Sequence, residues 1–109
     1  MKRMAWVIRV RPEKIEEYKA LHADVWPGVL KMIRECNIRN YSIFLREPEN
    51  LLFGCYEYHG TDFEADMARM ANDEETNRWW KVTDPCQEGL ESRSEGEWWA
   101  PAKEVFHCD

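Results

Sequence analysis

The feature that most constrains the fold is the order in which strand-like and helix-like segments follow one another. Strands place successive side chains on opposite faces, whereas helices repeat every 3.6 residues, so the spacing of apolar residues separates the two. The order along this chain is β-α-β-β-α-β. The predicted segments are a strand at 4–10, a helix at 13–35, strands at 40–46 and 51–58, helices at 62–72 and 73–82, and a last strand at 102–107.

The long predicted helix carries one apolar stripe, which includes Tyr18, His22 and Val29. Charged residues lie on the opposite side, so the stripe should face the sheet. Pro27 and Gly28 interrupt the pattern. Because proline has no N–H to donate and its ring clashes with the preceding turn, the helix should kink or split there.

The connections between segments indicate the architecture. Residues 47–50 form a short polar turn, which predicts an antiparallel hairpin between the two middle strands. Residues 83–101 are rich in Glu, Ser, Gly and Pro and should form a loop excursion. The order of elements is that of a ferredoxin-like α+β fold, one antiparallel sheet with helices on one face. Since there is no internal repeat and no linker, residues 1–109 should form a single domain.

Helices on one face leave the other face of the sheet uncovered, although the alternation of the strands places apolar side chains there as well. An uncovered apolar face requires a partner, and a second copy of the same chain is the simplest one. We therefore expect a homodimer joined sheet to sheet.

Composition excludes several classes of function. The net charge is −6 and no basic patch stands out, so neither nucleic acid nor an anionic membrane is an expected partner. No apolar run approaches the roughly 18–20 residues that cross a bilayer, and the N-terminus lacks the features of a signal peptide. The expected location is the cytoplasm.

The four cysteines are irregularly spaced and are expected to be free thiols, and no metal-ligand spacing is present.

Tryptophan is unusually frequent, with six residues in a chain of 109. A small domain can use such rings to fill its core or an oligomer interface, or as flat walls of a pocket. Trp79 and Trp80 are consecutive and therefore point about 100° apart on a helix, so one can pack in the core while the other walls a cavity, or both can line a pocket at a helix end. Indole rings suit the C–H face and hydroxyl groups of a sugar.

Tyr18 and His22 are the strongest candidates for chemistry. Their i, i+4 spacing makes them neighbours on one helical face. A lone histidine on such a face is more often a core residue than a catalyst, but a hydroxyl and an imidazole together need polar partners, which a pocket supplies. Tyr41, at the start of the second strand, is either a strand-end aromatic that packs on the first helix or a hydroxyl at the rim of the same pocket.

Other kinds of site are missing from the sequence. There is no Ser/His/Asp arrangement, no Gly-rich phosphate loop and no dinucleotide signature. The acidic residues lie on predicted solvent faces, which argues against a paired-carboxylate glycosidase. Acid–base chemistry by His and Tyr on a small neutral ligand, without metal or cofactor, is what remains.

Five stretches of the chain resemble the L-rhamnose mutarotase family, in order and at matching intervals. The Y-x-x-x-H-x-x-x-W-P core is fairly specific, whereas R-W-W alone would be weak. The stretches are E-E-Y-K-A-L-H-A-D-V-W-P at 16–27, N-Y-S-I-F-L at 40–45, N-L-L-F at 50–53, R-W-W at 78–80 and E-V-F-H at 104–107.

The resemblance implies a dimeric α/β barrel of ferredoxin-like subunits that interconverts the α and β anomers of a 6-deoxy sugar without a cofactor. By matching positions, it gives His22 the role of proton donor. We expect the ring oxygen of the sugar to receive this proton. It gives Tyr18, Tyr41, Trp79 and Trp80 roles in sugar binding. The chemistry agrees, because ring opening needs one group that exchanges protons near neutral pH, and histidine is such a group.

Other functions stay open on the sequence alone. The segment 83–101 is longer and more acidic than in the best-known bacterial members, so L-fucose or another pyranose can replace L-rhamnose as the substrate. A haem-dependent or cofactor-free monooxygenase with a dimeric barrel is a second enzyme reading, on fold analogy alone. A non-catalytic sugar-binding module is a third; it would bind a sugar without changing the rate of anomer exchange.

Overall fold

The strand-like segments form one curled antiparallel sheet, in a computed structural model that describes all 109 residues. Three long strands carry the sheet, and two short ones lie along one edge. The strands are β1 (Lys2–Val10), β2 (Ile38–Arg46), β3 (Leu51–Tyr58), β4 (Gln87–Glu88) and β5 (Ala100–Ala102). Their order in the sheet is β2-β3-β1-β4, and β5 also pairs with β1. This order confirms the predicted ferredoxin-like arrangement.

Four helices pack on one face of this sheet. They are α1 (Ile15–Ala23), α2 (Pro27–Glu35), α3 (Phe63–Ala71) and α4 (Glu74–Thr83). The predicted interruption of the first helix is confirmed, because α1 ends before Pro27 and α2 begins on it, where a proline loses no hydrogen bond. Asp62 and Asp73 are the N-cap residues of α3 and α4. Their side chains accept hydrogen bonds from the backbone N–H groups of Ala65 and Thr76.

The faces of the sheet follow the alternation of its strands. In β3, Leu52, Gly54, Tyr56 and Tyr58 are buried on the side of the sheet that carries the helices, and the residues between them are only half-buried. The helix-facing residues belong to two hydrophobic clusters, one around Ile8 and Leu52 and the other around Tyr56 and Tyr58. On the opposite face no helix covers the sheet, and Phe44 of β2 is 61% exposed.

The prediction of a last strand at 102–107 is wrong. Two short pieces occupy the edge position: Gln87 pairs with Val10 in β4, and Ala100–Ala102 pairs with the middle of β1 in β5. The predicted loop excursion is accordingly shorter than 83–101, since it begins only after β4. Val105 and Phe106 favour a strand by type, but their side chains are almost fully exposed. Strand propensity acts through packing on neighbours, which these two residues lack.

The helices of this protein are too short and too polar for any of them to span a bilayer. All four cysteines are unpaired.

Candidate active site

A cleft between the helices and the sheet holds the predicted site. It has two lobes, of about 550 and about 480 Å³, and Tyr18, His22, Tyr41 and Trp79 line both. These volumes suit a small molecule. The walls are mainly apolar, and Lys19 and Asp84 contribute the only charged side chains. A small neutral ligand with an apolar face and a few hydroxyl groups matches such a lining.

Helix α1 places Tyr18 and His22 one turn apart with their rings stacked. The ring centroids are 4.2 Å apart and the ring planes differ by 29°. Nδ1 of His22 lies 2.8 Å from the Tyr18 carbonyl oxygen. Because a carbonyl can only accept, Nδ1 carries the hydrogen and donates it. The helix backbone therefore selects the tautomer in which Nε2 bears a free lone pair when the ring is neutral.

The protonation state of His22 follows from its surroundings. Burial lowers the pKa of the imidazole, and the hydrogen bond to the Tyr18 carbonyl opposes this shift only in part. The ring is therefore mainly neutral at pH 7. Neutral Nε2 is a proton acceptor, so any proton that His22 delivers has first to be taken up there.

Besides Tyr18, the imidazole of His22 also packs against Trp79. The Trp79 ring meets His22 edge to face, with centroids 5.2 Å apart, and meets Trp26 in the same way at 5.2 Å. Trp79 is only 6% exposed, so it is a packed wall rather than a mobile one. Trp80, the next residue of α4, lines the lobe nearer the cluster around Tyr56. Both indoles therefore border the cleft although they point in different directions.

A β-bulge in β2 sets the position of Tyr41. Arg39 pairs with Glu57 and Ser42 with Cys55, so two residues, Asn40 and Tyr41, lie opposite one residue of β3. Asn40 has φ of 51°, a left-handed conformation that asparagine tolerates well. Since the extra residue shifts the alternation by one, Tyr41 faces the helices as Ile38 does, although three residues separate them.

Three phenols line the cleft, and those of Tyr18 and Tyr41, which were predicted from the sequence, keep their protons at neutral pH. Burial raises the pKa of Tyr18 to about 12. Tyr41 as a whole is 41% exposed, but desolvation of its hydroxyl raises its pKa as well, and the nearby hydroxyl groups of Tyr18 and Tyr56 raise it further. Both side chains are therefore neutral hydrogen-bonding groups that can donate to a sugar oxygen.

The structure brings all five predicted site residues to one cleft. It also adds residues that the sequence analysis did not single out, above all Trp6 and Gln87. Nε1 of Trp6 is the one buried side-chain nitrogen or oxygen without a hydrogen-bond partner. Gln87 donates a hydrogen bond to the Tyr18 hydroxyl. Alternation along β1 puts Trp6 on the same face as Ile8 and Val10, whereas nothing local in the sequence marked Gln87.

Gly54 makes room for the excursion to reach the cleft. A Cβ at this position would lie 3.3 Å from the ring of Trp99 and 3.7 Å from the ring of Tyr41. Trp99 therefore packs directly over the backbone of β3 and lines the cleft beside Trp98. A glycine inside a strand often marks such a close approach.

No cluster of three or more His, Cys, Asp or Glu side chains in the protein is arranged to hold a metal ion. The charged or acid–base side chains that line the cleft are His22, Lys19, the phenols of Tyr18, Tyr41 and Tyr56, and the carboxylate of Asp84, whose pKa burial raises.

Comparison with known proteins places this chain in a family. A sequence model of L-rhamnose mutarotases matches residues 3–108. The chain belongs to the L-rhamnose mutarotase family. L-rhamnose mutarotases of Oceanobacillus iheyensis and Bacillus subtilis are 32% identical over 109 residues and 34% identical over 113 residues, and each match covers the whole of both chains. The expected family is confirmed, and the protein is an enzyme of the carbohydrate mutarotase class.

Solved structures agree on the fold. The crystal structure of an L-rhamnose mutarotase from Formosa agariphila superposes with a TM-score of 0.79 and 24% identity, over the full length of both chains. Tetracenomycin F2 cyclase from Streptomyces glaucescens, a type-II polyketide cyclase, superposes with a TM-score of 0.74 and 14% identity, over all of this chain and 98% of that one. At these identities the likeness shows the fold alone, and the second structure shows that the fold also serves other chemistry.

Proposed function

We propose that this member of the L-rhamnose mutarotase family interconverts the α and β anomers of L-rhamnose by acid–base ring opening and reclosure, without a cofactor. The observation that carries the proposal is the state of His22. Its Nδ1 is fixed on the Tyr18 carbonyl, and its neutral Nε2 belongs to a ring that lines a mainly apolar cleft between aromatic walls.

The proton transfers can be written for this one imidazole. Nε2 of His22 accepts the proton of the anomeric hydroxyl, and the imidazolium then delivers it to the ring oxygen as the C1–ring oxygen bond breaks. The products are a free aldehyde and a chain hydroxyl, and His22 returns to its neutral state. Rotation about the C1–C2 bond and the reverse steps close the ring as the other anomer. The imidazole can reach both oxygens in turn, because both are bonded to C1.

This sequence keeps the expected role of His22 as donor to the ring oxygen and names the source of its proton. General acid–base catalysis of this kind contributes roughly 10²–10⁴-fold. No covalent intermediate is needed. Tyr18 and Tyr41 supply neutral donors to sugar oxygens, and Trp79 and Trp80 offer flat apolar surfaces to the C–H face of the ring.

The apolar walls support a 6-deoxy sugar. Val29, Ile33 and Ile43 line both lobes of the cleft and can receive a methyl group in place of a hydroxymethyl group. An apolar pocket discriminates against one extra hydroxyl by at most about 10²-fold. L-Fucose carries the same methyl group, so contact with the methyl group does not distinguish it from L-rhamnose. A direct comparison of the exchange rates of the two sugars decides between them.

The active form that we propose is a homodimer joined through the open face of the sheet. Phe44 stands exposed on that face, and the half-buried Phe53 and Cys55 of β3 share it. Val105 and Phe106 add a second exposed apolar segment. Burial of apolar surface contributes roughly 25 cal/mol per Å², which favours a second copy over water as the neighbour of these side chains.

The decisive experiment is NMR exchange spectroscopy of L-rhamnose, L-fucose and L-mannose with catalytic amounts of the protein. We expect the largest rate with L-rhamnose. His22→Asn should lower that rate by roughly 10²–10⁴-fold with little change in melting temperature or sugar binding. His59→Asn, at an exposed histidine away from the cleft, is the matched control and should keep the full rate.

Two outcomes would contradict the proposal. Binding of a sugar without faster exchange by the wild-type protein would identify a non-catalytic sugar-binding module. Near-normal exchange by folded His22→Asn would leave the family unchanged but remove the histidine from the mechanism.

A further inference from the structure

A chain of hydrogen bonds connects the excursion to the cleft through three side chains. Nε1 of Trp98 donates to Oε1 of Gln87 at 2.9 Å. Nε2 of the same amide donates to the Tyr18 hydroxyl at 3.2 Å. Gln87 is only 3% exposed, so water does not offer its amide an alternative partner. These contacts join residues from β4, from α1 and from the excursion after β4.

The direction of this chain is fixed by its first member. An indole N–H can donate but cannot accept, so the atom of Gln87 that faces Trp98 has to be the amide oxygen. The NH₂ group then faces Tyr18, and the phenol oxygen has to accept from it. The hydroxyl proton of Tyr18 consequently cannot point toward Gln87.

The proton of Tyr18 is left available to a ligand. Gln87 is the only hydrogen-bond partner of this hydroxyl within the protein, and the Tyr18 side chain lines both lobes of the cleft. Burial raises the pKa of the phenol to about 12, so the proton is present at neutral pH. The Tyr18 hydroxyl can therefore donate a hydrogen bond to a ligand, while its oxygen already accepts one from Gln87.

We propose that Gln87, oriented by Trp98, is a positioning residue that makes Tyr18 a one-way hydrogen-bond donor to the ring oxygen of the sugar. This inference rests on the proposed mutarotase function. The ring oxygen is the one pyranose oxygen that carries no hydrogen, so it can only accept. It also gains electron density as its bond to C1 breaks, so a donor aimed at it stabilises the transition state more than the bound sugar.

Gln87→Glu tests the direction of the chain. A carboxylate still accepts from Trp98 but cannot donate to Tyr18; it accepts the phenol proton instead and turns it away from the sugar. We expect kcat/KM for L-rhamnose exchange to fall about 10–100-fold, with more of the loss in kcat than in KM. Gln87→Met removes both bonds without capturing the proton, so its loss should be smaller.

A double-mutant cycle shows whether Gln87 acts through Tyr18. Tyr18→Phe alone should lower kcat/KM about as much as Gln87→Glu, and the double variant should lose nothing further. Trp98→Phe keeps the ring, frees the amide to turn over and should cost a few-fold in kcat. That loss should also vanish in the Tyr18→Phe background. Because Trp98 is partly exposed, this second cycle remains available if Gln87→Glu does not fold.

The outcomes separate this inference from the function on which it rests. Losses that multiply in both double variants would show that Gln87 and Trp98 act independently of Tyr18 and would overturn the positioning role. A Gln87→Met variant as slow as Gln87→Glu would assign Gln87 to packing and overturn it too. If the wild-type protein exchanges none of the sugars, the proposed function fails first and this inference falls with it.

Discussion

The pH dependence of anomer exchange tests the protonation state that the structure gives His22. Burial lowers the pKa of the imidazole below its ordinary value of about 6.5. At pH 7.5, at least about ten rings are therefore neutral for each one that is protonated. If neutral Nε2 starts the reaction by taking the anomeric proton, kcat/KM should be level above pH 7. It should fall as the pH drops through the lowered pKa, approaching tenfold per pH unit well below it.

The opposite mechanism predicts the opposite slope. If a resting imidazolium donated to the ring oxygen, kcat/KM would rise as the pH falls from 7.5 to 5.5. The phenols contribute no titration in this window, because the pKa of Tyr18 is raised to about 12 and that of Tyr41 is raised as well.

The assay is NMR exchange of L-rhamnose between pH 5.5 and 8, with the uncatalysed rate subtracted at each pH. A thermal melt at each pH shows that the enzyme is folded, and His22→Asn should lack the acidic limb. A rate that increases toward pH 5.5 in the folded wild-type enzyme would refute the neutral imidazole as the starting state.

Three further predictions concern the walls, the metal requirement and the assembly. Trp80→Ala should weaken L-rhamnose binding about tenfold in titration calorimetry, and it should lower stability less than Trp79→Ala does, because removal of the buried Trp79 ring costs about 3–5 kcal/mol. Equal affinity of Trp80→Ala and the wild type would show that the Trp80 ring belongs to the core and does not contact the sugar. Exchange should survive exhaustive dialysis against EDTA, and a rate that is lost and returns with zinc would contradict the cofactor-free mechanism. Phe44→Asp should shift sedimentation of the micromolar protein from dimer to monomer, because a charge on the shared sheet face has to be desolvated; a wild-type protein that sediments as a folded monomer would exclude the sheet-to-sheet dimer.

Local patterns were sufficient for the order of the elements and for the main pair at the site. Alternation in β1 and β3 and the helical stripe of α1 follow from the geometry of a single element. Pro27 divides the first helix because of its own covalent structure. Tyr18 and His22 share a face because they are four residues apart on one helix, and the backbone of that same helix selects the tautomer of His22.

The edge of the sheet could not be predicted in the same way. Val105 and Phe106 have the residue types of a strand, yet the edge of β1 pairs with Gln87–Glu88 and Ala100–Ala102. Which of several short segments pairs with an edge depends on the path of the whole chain, and propensity in a short window does not contain that path.

The sequence by itself determined the fold class, the family and the placement of Tyr18 beside His22 on α1, because each depends on spacing along one element or on motifs within the chain. Only the tertiary structure decided the cleft that surrounds them. The bulge at Asn40 and Tyr41, the approach of Trp99 to Gly54 and the amide of Gln87 on Tyr18 all join elements far apart in sequence. A residue such as Gln87 has no local signal, since its hydrogen bond to Tyr18 spans 69 positions of the chain.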